Sequence, residues 1–335
     1  MTKAAIIGGS QGYRMLSERG KMLRRASCAE ASSRGEGCFG ENSLPKHPSP
    51  GALETPFGLS APIHKLPTPP SPPLGKGGKC GPSPPLSKGG KGGVEVYFLS
   101  RHGEQGYSIS APFVNYRANI WALKELGVGR IVAWSGPGAI DPAIPIGDIL
   151  VPDDLIDETR GRATTFFEGL GIGFIRQNPV FCPCLSDRLR KAIESRIGRC
   201  RAHDIYVCTQ GPRLETRAEI RKFAAYGATL VGMTLVPEAF LARELEMCYC
   251  PVCYVTNYAE GVVDRAYQPG ELFEGLLSPH EKAAVDAAVA AIPHIALEAL
   301  LQPDDDQCLC PRSMERYRLR GDIGEDWRTW IRKPS

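Results

Sequence analysis

Four short clusters carry the groups an oxyanion needs. They are Gly8-Gly9-Ser10, Arg101-His102-Gly103, Ser135-Gly136-Pro137-Gly138 and Met233-Thr234. Together they supply small residues, hydroxyls, backbone N–H groups and one guanidinium, a donor set suited to phosphate. Taken singly, each reads as an ordinary turn or a surface charge. Their position makes them a set, because every cluster closes an apolar run of strand length. In an open α/β sheet, ligands collect outside the carboxyl ends of the strands, so one shared sheet would bring the four clusters to a common edge.

The elements that must position them follow from periodicity. Residues 3–9, 94–101, 131–135, 149–152, 205–210, 230–234 and 249–257 read as strands. Residues 116–126 have helical spacing through Ile120, Leu123 and Leu126, and stop at Gly127. Helices are also expected over 185–197, 215–226, 238–246 and 281–301, the last kinked at Pro293. Strands alternating with helices define an α/β domain with a largely parallel sheet.

Composition narrows the class. Of 335 residues, 42 % are hydrophobic, which supports a sizeable core and excludes a wholly disordered chain. No apolar run reaches the ~18 residues of a membrane span, and residues 1–10 are too short for a secretory signal. A cytoplasmic protein with no membrane partner is expected. The net charge of +3 is an unequal sum. Residues 1–93 hold 13 Lys/Arg against 5 Glu, whereas residues 94–335 hold 27 Lys/Arg against 32 Asp/Glu. The basic excess lies with a low-complexity stretch. Residues 67–93 include 16 Pro or Gly and repeat Pro-Ser-Pro-Pro-Leu from Pro70 and again from Pro82. Such a stretch cannot bury enough apolar surface to offset its ordering entropy, and a disordered loop is expected. Its four lysines lack interleaved aromatics, which argues against a nucleic-acid partner. The expected organisation is one domain over 1–302, interrupted by an insertion over about 11–93 in which only 54–65 is ordered, and a charged C-terminal tail over 303–335.

Twelve cysteines include the groups Cys182/Cys184, Cys248/Cys250/Cys253 and Cys308/Cys310. Residues 248–253 lie in an apolar strand, where alternate side chains face opposite ways and cannot converge on one ion. No metal is expected, and the cysteines read as small buried hydrophobes in a reducing compartment. Cys308 and Cys310 could close a strained disulfide.

Five motifs occur in an order that carries a resemblance. They are Ile6-Ile7-Gly8-Gly9-Ser10, Ser100-Arg101-His102-Gly103, Val114 to Ile120 (VNYRANI), Gly211 to Glu219 (GPRLETRAE) and Gly232 to Glu238 (GMTLVPE). With them the sequence resembles the trimeric purine nucleoside phosphorylase and methylthioadenosine phosphorylase family over residues 3–10, about 54–65 and 94 to about 300. The resemblance implies a single-domain, three-layer α/β fold with a twisted mixed sheet flanked by helices. It implies a homotrimer with active sites near subunit interfaces, and reversible phosphorolysis of an N-glycosidic bond in purine salvage. No metal or organic cofactor is implied; inorganic phosphate is a co-substrate.

By the same resemblance, Ser10, Arg101, His102, Ser135, Gly136 and Thr234 would hold phosphate. Met233 and His280 would contact the ribose, His280 at its 5′-hydroxyl. Glu215 would accept N1–H of a 6-oxopurine, and Asn257 would face O6 and N7, with Leu214 beside the base. Family members that cleave 6-aminopurines resemble a different pattern, with aspartates where Asn257 and Ala259 stand. An ionised carboxylate cannot donate to O6, whereas an amide can. Inosine and guanosine are therefore the expected substrates. S-methyl-5′-thioinosine or methylthioadenosine is the alternative, and a catalytically impaired family member is a further one. The impaired reading rests on departures from the family pattern: Gln11 after Ser10, Gly106 and Tyr107 where a histidine is usual, and Pro137 and Ala139 in the phosphate loop.

Overall fold

The computed structural model describes residues 2–8, 51–66, 94–103, 107–266, 269–272, 276–303 and 307–331. Ser10, Gln11, Gly106 and the repeat at 67–93 lie outside them.

Four parallel strands form the centre of a six-stranded sheet: β1 (Lys3–Gly8), β5 (Glu95–Ser100), β6 (Val128–Ser135) and β12 (Cys248–Tyr254). The short antiparallel strands β4 (Ile63–Lys65) and β8 (Ile149–Leu150) close its edges, giving the order β4-β5-β1-β6-β12-β8. The central strands read as unbroken apolar runs because both of their faces are covered. Ile6, Ile7, Phe98, Leu99, Ile131, Val132 and Val252 are fully buried.

The mixed sheet flanked by helices that the resemblance implies is present, in two parts. The second contains β7 (Gly138–Ala139), β9 (Asp154–Glu158), β10 (Ile205–Thr209), β11 (Leu230–Gly232) and β13 (Asn257–Tyr258), in the order β13-β7-β11-β10-β9. The chain crosses from the first sheet to the second after β6, β8 and β12. Two of these crossings, from β6 through Gly136-Pro137 to β7 and from β12 through Val255-Thr256 to β13, lead into strands that pair with each other. The Thr256 N–H donates to the Pro137 carbonyl at 3.0 Å and ties the two crossings together. A small hairpin, β2 (Glu54–Thr55) and β3 (Gly58–Leu59), precedes β4.

Helices cover the large sheet in two pairs. α1 (Tyr116–Glu125) packs on α4 (Glu238–Glu244), and α2 (Pro183–Ile197) packs on α5 (Pro279–Leu300). A further helix, α3 (Arg217–Ala225), starts in a reciprocal capping box between Thr216 and Glu219. α5 begins with a second capping box, Ser278 with Glu281, and runs on through Pro293 as one helix. The sequence had no obvious membrane span, yet α5 is long and apolar enough to cross one. Its apolar residues serve the core: Ile292, Ile295, Ala296, Ala299 and Leu300 are buried where it packs against α2, β6 and β12.

Two boundaries move relative to the sequence expectation. Residues 51–66 are part of the fold, with Ile63 fully buried and paired with Leu99, so the insertion is divided by a sheet strand. The C-terminal tail is also part of the fold over 307–331. Its helix α6 (Glu315–Leu319) buries Tyr317, and Met314 and Trp330 are buried beside it. Arg318 Nη1 donates to Glu246 at 2.8 Å, and Trp327 meets Trp121 edge-on at 4.5 Å between ring centroids. The segment's charges alternate with these aromatic anchors, which is why composition alone reads it as solvated.

Candidate active site

The carboxyl ends of β5, β6 and β11 open onto a cavity of about 560 Å³. That is ample for a small organic ligand. Arg101 and His102 line it from the end of β5, Ser135 and Gly136 from β6, and Met233 and Thr234 from β11. Leu214 and Glu215 reach it from the loop before α3, and Asn257 from β13. Nine of the eleven residues expected to act thus share one space.

A hydroxyl cluster forms one part of the site. Ser135 Oγ lies 3.2 Å from both the Tyr206 hydroxyl and Thr234 Oγ1. Tyr206 reaches this position only because residue 232 is glycine. A Cβ there would stand 2.0 Å from the Tyr206 hydroxyl. Gly136 is needed for a similar reason, since a Cβ on it would lie 2.9 Å from Thr256 Cγ2 and from the Tyr254 ring.

Arg101 adds positive charge, although not as a free guanidinium. It is 1 % exposed and bonds Glu238 through Nε at 2.5 Å and Nη2 at 2.8 Å. Glu238 is fully buried and also accepts from the Tyr249 hydroxyl at 2.8 Å. Burial alone would lower the Arg101 pKa, but the adjoining carboxylate outweighs it and holds the guanidinium firmly protonated. One face of the fork is therefore spent on orientation. Nη1, at 3.4 Å from the Trp134 carbonyl, is the least committed donor.

His102 is neutral. Burial and the Arg101 charge push its pKa down to about 4. Its Nδ1 lies 2.8 Å from the Ile109 carbonyl, which fixes Nδ1 as the donor and leaves Nε2 as an acceptor. An acceptor can take a proton-bearing oxygen of phosphate or a sugar hydroxyl; it cannot donate to a phosphate dianion.

The second part of the site is an amide and a carboxylate. Glu215 accepts a 2.5 Å hydrogen bond from Thr209, whose hydroxyl also lies 3.3 Å from the Gly232 carbonyl. Asn257 Oδ1 accepts from the Thr256 hydroxyl at 2.7 Å, and Nδ2 donates to the Tyr258 carbonyl at 2.8 Å. These bonds fix which way the amide faces and leave it one N–H and one lone pair for a ligand. Met233 lies between Gly232 and Thr234 in the chain and lines the cavity between the two groups' supports.

Among the described residues, one expected residue, His280, is not in the cavity. Ser10 lies outside the described residues. His280 is exposed in the first turn of α5, in a separate hollow with Arg265 and Glu281. Leu276 lines both spaces, and the cavity wall there is Leu272, Leu276 and Val289. The physical reason is the capping box: Pro279 and His280 are the first helical residues, and Arg265 clamps Glu281. Sequence reasoning also missed Tyr206, Thr256 and Tyr107. Tyr206 sits in an apolar strand and reads as core, but a buried phenol needs a partner, and that was the available signal. Tyr107 is 83 % exposed, lines the cavity, and packs on His102 at 4.5 Å.

This fold, with hydroxyls and a guanidinium beside an amide and a carboxylate in one cavity, is that of a nucleoside phosphorylase. The chain belongs to the phosphorylase superfamily, whose family model matches residues 79–291. It is 40 % identical to the 6-oxopurine nucleoside phosphorylase of Pyrococcus furiosus over 231 residues, 67 % of this chain and 84 % of that one. It is 41 % identical over 222 residues to the probable S-methyl-5′-thioinosine phosphorylase of Methanopyrus kandleri, 66 % of this chain and 82 % of the relative. Among solved structures, a methylthioadenosine phosphorylase sourced from an antarctic soil metagenomic library superposes with a TM-score of 0.66 at 28 % identity, covering 93 % of this chain and 90 % of that one.

Proposed function

We propose that this chain cleaves 6-oxopurine nucleosides with inorganic phosphate, releasing the purine and ribose 1-phosphate. The observation that carries this reading is the presence of Glu215 and Asn257 in one cavity with Ser135, Thr234 and Arg101. The relatives named for 6-oxopurine nucleosides and S-methyl-5′-thioinosine support it.

The reaction needs a phosphate oxygen to bond to C1′ while the C1′–N9 bond breaks and its electron pair leaves with the base. The hydroxyl cluster and Arg101 Nη1 hold the phosphate, and preorganised donors are worth most where charge develops. Glu215 accepts N1–H of the base. Asn257 donates to the base as negative charge builds on it. A 6-aminopurine has no N1–H for Glu215, so adenosine is disfavoured. Phosphate serves as co-substrate, and the chemistry calls on no organic cofactor or metal at this site.

S-methyl-5′-thioinosine is a second reading with its own support. His280, the expected partner of a 5′-hydroxyl, is outside the cavity, and Leu272, Leu276 and Val289 offer an apolar wall to a methylthio group. The impaired reading rests on Pro137, which lacks an N–H, on Ala139, which lacks a hydroxyl, and on Tyr107 where a histidine is usual; Gln11 and Gly106 lie outside the described residues. We further propose a cytoplasmic homotrimer acting in purine salvage. Tyr107, Ile109 and Phe113 are exposed in one segment that also lines the cavity through Ser110 and Ala111, a surface suited to a second subunit. Sedimentation of the purified protein should give three times the chain mass.

The test is base release from inosine, guanosine, adenosine, S-methyl-5′-thioinosine and methylthioadenosine, with and without phosphate. Phosphate-dependent release from the 6-oxopurines is expected. Release from adenosine alone would overturn the roles of Glu215 and Asn257, and release from none would favour the impaired member.

A further inference from the structure

Four cysteines from three distant stretches meet at the start of α2 and of β12. Cys182 is the N-cap of α2, Cys248 opens β12, and Cys308 and Cys310 belong to the C-terminal segment. Their sulfurs all lie within 4.8 Å of one another. Cys308 Sγ is 3.6 Å from Cys182 Sγ and 3.4 Å from Cys248 Sγ. The strand-alternation argument excluded a site built from residues 248–253 alone. It did not foresee that Cys248 would be joined by cysteines of other elements, while Cys250 and Cys253 stay in the core.

The spacing suits an ion. Four thiolates about 2.3 Å from a tetrahedral zinc have sulfurs about 3.8 Å apart, whereas a disulfide brings two sulfurs to about 2.05 Å and leaves the rest unpaired. Cys182, Cys248 and Cys310 are buried and Cys308 is half-buried. Cys182 heads a 15-residue helix, and its side chain makes no capping bond of its own. An all-sulfur donor set selects a soft ion over magnesium or calcium. Four protein ligands leave no open position, so the ion would be structural. None of the four cysteines lines the active-site cavity.

We infer that Cys182, Cys248, Cys308 and Cys310 bind one Zn²⁺ as a tetrathiolate, releasing their thiol protons. The ion fastens the C-terminal segment to the start of α2 and of β12. Loops of 66 and 60 residues, from Cys182 to Cys248 and from Cys248 to Cys308, are thereby closed. The segment then carries its aromatic anchors, Tyr317, Trp327 and Trp330, onto the body of the protein.

The test uses the full chain, purified under reducing conditions after expression with added zinc. Elemental analysis is expected to find one zinc per chain. The double variant Cys308→Ser/Cys310→Ser should lose it, and Cys200→Ser, outside the cluster, should keep it. Loading with Co²⁺ should give the intense visible bands of a tetrahedral thiolate site in the parent and none in the double variant. If that variant is insoluble, the parent serves: stripping zinc with a chelator should expose the C-terminal segment to protease, and adding Zn²⁺ back should restore protection. Three results would overturn the inference. One is a parent that retains no zinc after incubation and desalting. Another is equal zinc in the double variant, which would place the ion outside this cluster. The third is a mass lower by two hydrogens that shifts back on reduction, which would make the cluster a disulfide.

Discussion

The active-site cavity and the cysteine cluster are assembled in opposite ways. The cavity gathers residues from short motifs at strand ends and the loops beside them, placed by sheet topology. The cluster gathers single residues from separate elements, held together only by the packing of the C-terminal segment. The difference predicts where each is fragile. The cavity depends on buried hydrogen-bond networks within the sheets, and the cluster on a docked segment and its ligand. Variants in one region should therefore leave the other's signature unchanged.

The largest effect is expected from Glu238→Ala. It leaves the Arg101 guanidinium buried without its carboxylate and takes the acceptor from Tyr249. Breaking a buried pair from one side costs about 3–5 kcal/mol. Urea denaturation should show that loss, while any zinc content stays as in the parent. A variant as stable as the parent would mean the pair does not organise the site.

Glu244 gives the next effect, through pH. Burial raises its carboxyl to about 7 from an ordinary 4.5, against the hydrogen bonds from Thr165 and the Phe166 N–H that pull it down. A raised folded-state value means that its stabilising contribution is complete below about pH 4.5 and is lost as pH rises to about 7. The full window is about 3 kcal/mol. His102, lowered to about 4, has the opposite slope and loses its contribution as pH falls from about 6.5. The difference between the parent and Glu244→Gln, followed by thermal unfolding from pH 4.5 to 7.5, isolates the Glu244 part. A flat difference would contradict the assignment.

Asn257→Asp tests the base pocket. Replacing the amide by an acceptor-only carboxylate removes the donor to O6. The ratio of kcat/KM for inosine to that for adenosine should fall by about 10- to 100-fold, corresponding to about 1.4–2.7 kcal/mol. An unchanged ratio would separate Asn257 from base choice.

The smallest effect belongs to Tyr206→Phe, which keeps the ring and removes the hydroxyl from Ser135. One neutral hydrogen bond is worth about 1 kcal/mol, so KM for phosphate should rise about fivefold with little change in stability. No change in KM would place Tyr206 outside the anion site.

Legibility in the sequence followed the same division. Arg101-His102-Gly103 and Met233-Thr234 were readable because each ends an apolar run, and the strand supplies both the clue and the placement. Three of the five strands of the second sheet were not. β7 and β13 are two residues each, and β9 (Asp-Leu-Ile-Asp-Glu) is a polar edge strand with no apolar run to mark it. Tyr206 was hidden because its ring belongs to the core while its hydroxyl reaches Ser135 of the cavity. His280 stands apart from the cavity: the motif around it is a helix start, and the residue is exposed there. The cysteines were invisible as a group because their convergence depends on the docking of residues 307–331, which composition presents as a charged tail.

The central claim is that the Glu215–Asn257 pair and the hydroxyl–Arg101 cluster act together on one 6-oxopurine nucleoside. Release of hypoxanthine from inosine, measured with saturating phosphate, without phosphate, and against adenosine at equal concentration, tests it most directly. The account predicts release that requires phosphate and strongly favours inosine. Phosphate-independent release, or a preference for adenosine, would contradict it.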